Sequence, residues 1–125
     1  MADDFATVFG VLRGLLVDHA DRLSIKADSP VEFTVTTKVA SPFPQHKGEL
    51  MWFASVRVGK AYVSFHLLPV YMDPGLNAVI TPSLKKRMQG KACFNFKSSP
   101  DVELLAGLRA LTNAAIETWT EKGWM

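Results

Sequence analysis

The sequence predicts an α+β fold, an antiparallel sheet with two terminal helices packed on one of its faces. Two observations carry it. Apolar residues recur at steps of three and four near both ends of the chain, the spacing of one helix face. Between them, apolar and polar residues alternate with the period of two that a half-buried strand shows.

The first helix carries Phe5, Val8, Phe9, Leu12, Leu15, Leu16, His19 and Leu23 on one stripe. Asp3 or Asp4 supplies its cap, since a short acidic side chain accepts from the free N–H groups of a first turn. Asp28-Ser29-Pro30 breaks the chain. Val31, Phe33 and Val35 then alternate with Glu32, Thr34 and Thr36 as a first strand. A Pro-rich loop around Pro42, Pro44 and Gly48 follows. Strands at 50–58 and 61–68 come next, with Gly59-Lys60 as the hairpin turn between them. Pro69 ends the second of these, having no N–H for a ladder. Thr81-Pro82 reads as a cap and first helical residue, opening a short helix over 82–89 that Gly90 stops. A last strand covers 92–97. Ser99-Pro100 repeats the cap signal, with Asp101 and Glu103 at the positive end of the helix dipole. The final helix turns Val102, Leu105, Leu108, Thr112, Ala115, Ile116 and Trp119 to one side. The expected order is therefore helix, three strands, short helix, strand, helix.

The totals bound the function class. A chain of 125 residues is read as one domain over 1–125. The net charge of +2 argues against nucleic acid or an anionic membrane as partner. No apolar run approaches the roughly 20 residues that cross a bilayer. The beginning Met1-Ala2-Asp3-Asp4 lacks the positive charge and apolar run of a signal peptide, and a lone Cys93 excludes an intrachain disulfide. These features together lead to the expectation of a cytoplasmic protein.

If both long helices cover one face of the sheet, the other is open. Period-two alternation assigns Val31, Phe33, Val35, Trp52, Ala54, Val56, Val63, Phe65, Leu67, Phe94 and Phe96 to the core. It assigns Thr34, Thr36, Met51, Phe53, Ser55, Arg57, Tyr62, Ser64, His66, Cys93, Asn95 and Lys97 to the open face. A one-residue slip in any strand exchanges that strand's two sets.

On this reading the open face is the place for a site. Aromatic residues, Met and Arg are enriched at interfaces. Phe53 and Tyr62, on adjacent strands, would supply apolar contact. Arg57 and His66 would supply polar pairing, with Tyr71 at the loop beyond. Alternatively, the Pro-rich loop folds over this group. His66 with Cys93 has the makings of a base and a nucleophile, but only if the thiol pKa is lowered; packing is the plainer role. His19, His46 and His66 match no metal-ligand spacing. Lys85-Lys86-Arg87, with Lys91, follows a helix start, where cations and N–H groups meet an anion such as phosphate; the plainer reading is a solvated face. There is no G-x-G-x-x-G and no P-loop.

The stretches Tyr62-Val63-Ser64-Phe65-His66, Tyr71-Met72 and Gly90-Lys91-Ala92-Cys93-Phe94-Asn95-Phe96, followed by an acidic helix start, resemble the YdhG-like domain family. The likeness runs from about Glu49 onward. It implies a frataxin-like sandwich, and some relatives are described as iron chaperones. Their acidic ridge is thin here, for Asp18, Asp21 and Glu32 are spread along the chain.

The expectation that follows is a non-enzymatic module, without cofactor, binding a small molecule or a protein on the open sheet face, with self-association into a homo-oligomer as one form of this. The second is an iron-binding protein in which Asp18, Asp21, Glu32 and His66 would be the ligands, oxygen and imidazole being what iron takes.

Overall fold

Helix α1 (Phe5–Val17) begins where the Asp4 carboxylate accepts the backbone N–H of Thr7 at 2.8 Å. The computed structural model describes residues 4–90 and 92–125. Asp3, Lys91 and the side chain of His46 lie outside the described residues. Val8, Phe9, Leu12, Leu15 and Leu16 form the buried stripe of α1, as its spacing predicts. The helix stops at Val17, and a 3-10 turn delivers Leu23 to the core from outside it.

Five strands follow: β1 (Ser24–Asp28), β2 (Glu32–Ala40), β3 (Leu50–Val58), β4 (Val63–Leu67) and β5 (Cys93–Phe96). They pair antiparallel in chain order, so the sheet is a meander with β1 and β5 at its edges. Between β4 and β5 lie two short helices, α2 (Leu68–Met72) and α3 (Pro82–Lys85). Pro69 therefore opens a helix, where its missing N–H costs nothing, as well as closing a strand. The Thr81 hydroxyl caps α3 by accepting from Leu84 N, and Gly90 takes the positive φ of +81° that a residue without a Cβ tolerates. Helix α3 is shorter than the sequence suggests because residues 87–89 leave it to bridge β5: Asn95 N donates to Arg87 O, and Gln89 N to Cys93 O.

Helix α4 (Val102–Glu121) is capped by Asp101, whose carboxylate accepts from Leu104 N at 2.8 Å. Its buried stripe includes Leu104 and Leu111 and leaves Val102 in solvent. Leu108, Thr112, Ala115, Ile116 and Trp119 keep their expected places, and Leu105 is half-buried against the core. Both long helices lie on one side of the sheet. Helix α1 crosses β3 and β4, and its Arg13 guanidinium stacks 4.5 Å from the Phe33 ring. From α4, Trp119 meets Phe53 edge-on with ring centroids 5.5 Å apart.

Three expectations need correction. Residues 24–27 carry no expected element, and with Asp28 they form the edge strand β1 just before the expected break. Val31, assigned to the core, is exposed just before β2. Most consequential is β3. Val35 pairs with Ala54 but Thr36 with Trp52, so Phe53 is the extra residue of a β-bulge. The bulge exchanges the faces of the residues before it. Met51 and Phe53 turn inward, Phe53 being wholly buried, and Trp52 turns outward with 41% of its surface exposed. The ladder is mended by a side chain, for Met51 N donates to Thr37 Oγ1. Phe53 is thus a core residue and leaves the candidate site.

Candidate functional site

The face turned away from α1 and α4 carries straight rows of side chains set by strand register. One row runs Ala27, Thr34, Ser55, His66, Cys93 across all five strands. The next runs Glu32, Arg57, Ser64, Asn95. Beyond the first row, Thr36 pairs with Trp52, and the Lys26 ammonium lies 5.2 Å from the Trp52 ring centre.

The centre of this face is a hydrogen-bond chain. Thr34 Oγ1 donates to Glu32 Oε2 at 2.7 Å and lies 2.9 Å from Ser55 Oγ. A hydroxyl has one proton. With that of Thr34 committed to the carboxylate, Ser55 is the donor in the second bond. Arg57 closes the chain with a 3.1 Å bond and ion pair to Glu32 Oε1. The Thr34 hydroxyl and, second to it, Arg57 hold the Glu32 carboxyl below the ordinary glutamate range. Thr34 and Ser55 are as buried as core residues, at 0% and 3% exposure, although neither α1 nor α4 lies on their side.

His66 and Cys93 sit opposite each other on β4 and β5. Desolvation holds the His66 pKa below the usual imidazole value, which favours the neutral ring, even though its edge remains open to solvent. Burial pushes the Cys93 thiol up, against a smaller opposing effect of a hydrogen bond with Ser64. Cys93 Sγ also contacts Asn95 Oδ1 at 3.5 Å. The pairing the sequence suggested is real in space, but both shifts run against an activated thiolate with a protonated imidazole beside it.

Tyr62 stands at the hairpin end of the face. The turn that places it is tight, with Gly59 N donating to Tyr62 O at 2.9 Å; a Cβ on Gly59 would meet that same oxygen at 3.0 Å. The Tyr62 hydroxyl reaches Gln89 Oε1 at 3.4 Å, which also accepts from Asn95 Nδ2 at 2.7 Å. Open recesses of about 590 Å³ and about 350 Å³ both have Tyr62 in their walls. Tyr71, 60% exposed on α2, belongs to a different recess with Val70, Asn77 and Lys85. Arg57, Tyr62 and His66 therefore share one face, Tyr71 does not join them there, and Phe53 lies beneath. The Pro-rich loop does not cover the face either. Its Phe43 packs edge-on to Trp124, which packs on Trp119, tying the loop to α4.

The four residues suspected for iron are not brought together. Asp18 caps α1 and pairs with Arg109 of α4 at 3.2 Å. Asp21 lies in the 3-10 turn, its carbonyl accepting from Lys38. Glu32 is committed to Thr34 and Arg57, and β3 separates it from His66. Among the described residues no three His, Cys, Asp or Glu side chains converge as a metal site would require. No helix among them is long and apolar enough to cross a membrane. Sequence reading missed the Thr34–Ser55 pair, whose only signal was two small hydroxyl residues at alternating positions of adjacent strands.

No protein-family model, curated protein or solved structure compared with the chain matches it. The resemblance to the YdhG-like family rests on the residues quoted for it above.

Proposed function

We propose that the chain is a non-enzymatic binding module that receives a polar ligand on the helix-free face of its sheet. One observation carries this: two rows of hydrogen-bonding side chains, in register across adjacent strands, are presented with neither long helix over them. The Ser55–Thr34–Glu32–Arg57 chain orders part of that surface before anything binds, so less side-chain freedom is lost on binding. Ser64, His66 and Asn95 offer both donors and acceptors beside it. Nucleophilic chemistry has no support from Cys93, whose thiol is pushed away from the reactive form. Iron gains no supporting observation, since its suspected ligands stay apart.

The test is a panel of small polar metabolites added to ¹⁵N-labelled protein. A binder is expected to shift the amides of Arg57, Ser64, His66 and Asn95. The His66→Ala and Arg57→Ala changes are expected to weaken it while the fold persists, both side chains being exposed. At about 100 times its dissociation constant the ligand adds roughly 2.7 kcal/mol to stability, an easily read rise in melting temperature. Shifts confined to α1 and α4 sink the reading. Concentration-dependent shifts on the face without any ligand would assign it instead to self-association.

A further inference from the structure

Lys60, Lys86, Arg87 and Lys97 are scattered in the sequence, and the fold collects them around Tyr62. Arg57 and Lys60 line the larger of the two recesses that share this tyrosine. Lys86, Arg87 and Lys97 line the smaller. Among the described residues the only carboxylate in either wall is Glu32, which Arg57 already neutralises. Among them the ion pairs are Arg13–Asp28, Arg57–Glu32 and Arg109–Asp18, so none of the four scattered cations is ion-paired, while Lys86 and Arg87 also line a neighbouring recess with Asp101. Gln89 uses its side-chain oxygen to hold both Tyr62 and Asn95, which leaves its amide nitrogen as a neutral donor in the same wall.

Such a gathering is electrostatically costly when empty. Lys86, Arg87 and Lys97 line one recess, where like charges repel and low-dielectric walls focus their field. An anion relieves that repulsion and finds several N–H donors. The strand pairing explains why the place is built: Val63 pairs with Phe96, so Tyr62 before one and Lys97 after the other flank the same end of the sheet. The bridge of residues 87–89 to β5 brings Arg87 alongside. Helix α3 has a single turn, and its N-terminus plays no part.

We propose that the smaller recess binds a small anionic ligand through its phosphate or carboxylate groups, with Lys86, Arg87 and Lys97 as the charged contacts and Tyr62 in the wall. The inference rests on the binding-module reading and names the ligand class for the Tyr62 end of that face.

Inorganic pyrophosphate and citrate separate the two anion chemistries. Each is titrated calorimetrically into the 125-residue protein, with amide shifts recorded in parallel. Binding is expected to shift residues 62–64, 86–89 and 95–97, and to weaken when ionic strength rises from about 0.01 M to about 1 M, where the screening length falls from about 30 Å to about 3 Å. The tighter of the two ligands identifies the group preferred. The double change Arg87→Glu with Lys97→Glu is expected to weaken binding about tenfold or more, since attraction becomes repulsion. Both side chains are exposed, so the fold tolerates the change. The control, Lys26→Glu with Lys38→Glu, alters net charge equally at the far end of the sheet and is expected to leave affinity within about twofold. Equal weakening by both doubles overturns the site in favour of a diffuse counter-ion cloud. No binding by either anion overturns it outright. If neither anion binds while a neutral metabolite shifts Ser64 and His66, the anion site falls and the binding-module reading stands.

Discussion

The centres of the two sheet faces are shut off from water by different means. Beneath α1 and α4, Phe33, Phe53, Val56 and Phe65 are excluded from water by the volume of other apolar side chains. On the far side, Thr34 and Ser55 are equally excluded, with only neighbouring side chains of their own face bonded to them. Burial by volume tolerates many partners, whereas burial of hydroxyls requires each donor to find its acceptor. The helix-free face is therefore the more specified of the two, despite being the more exposed at its margins.

The sharpest way to break that contrast is to remove volume from the covered side. Phe53→Ala leaves a hole under Trp119 and is expected to cost about 3–5 kcal/mol in denaturant unfolding. A cost within about 0.5 kcal/mol, as surface changes give, would return Phe53 to the open face and dissolve the bulge. Next in size is Thr34→Val, which keeps shape and deprives the buried Ser55 donor of its acceptor. It is expected to cost about 1–3 kcal/mol. Adding Ser55→Ala should recover part of that loss, because the orphaned donor goes with it.

Acid titration is expected to act on the open face in two windows. His66 has a lowered pKa in the folded state, so the unfolded chain takes up its proton first. Its stability loss starts as pH falls below the ordinary value of 6.5 and stops growing below the folded pKa; His66→Ala should flatten that part of the curve. Glu32 has a lowered pKa as well, and its contribution is present above 4.5 and lost as pH falls through the folded value; Glu32→Gln should remove that lower step. A curve unchanged by either substitution would mean the face contributes nothing to pH dependence. The smallest effects are expected from Trp52→Ala and Tyr62→Phe, each within about 0.5 kcal/mol in the same unfolding assay.

The sequence made the layers legible because they rest on periodicity. The stripe of α1, the caps at Asp4 and Thr81 and the core sets of β4 and β5 all follow from spacing alone. It concealed β1 because Ser24-Ile25-Lys26-Ala27-Asp28 is an edge strand, with little to bury and no clean alternation. It concealed the bulge because Met51, Trp52, Phe53 and Ala54 are all apolar, so either register satisfies the pattern. Of the candidate site, Arg57, Tyr62 and His66 were legible through the parity of their strands. The basic recess was not, for it takes strand pairing to set Lys97 beside Tyr62 and a bridge from residues 87–89 to set Arg87 there.

The placement of the three tryptophans makes the protein its own optical reporter. Trp119 and Trp124 form an edge-to-face pair on the helix side, Trp119 wholly buried and Trp124 half-buried, whereas Trp52 is 41% exposed beside Lys26. Trp119 is therefore expected to emit furthest to the blue, and Trp52 to supply a red component that a soluble quencher reaches in the native protein. A ligand or a second chain lying across Trp52 would shield the red component selectively, so occupancy of the β1–β3 end of the sheet can be followed without a label.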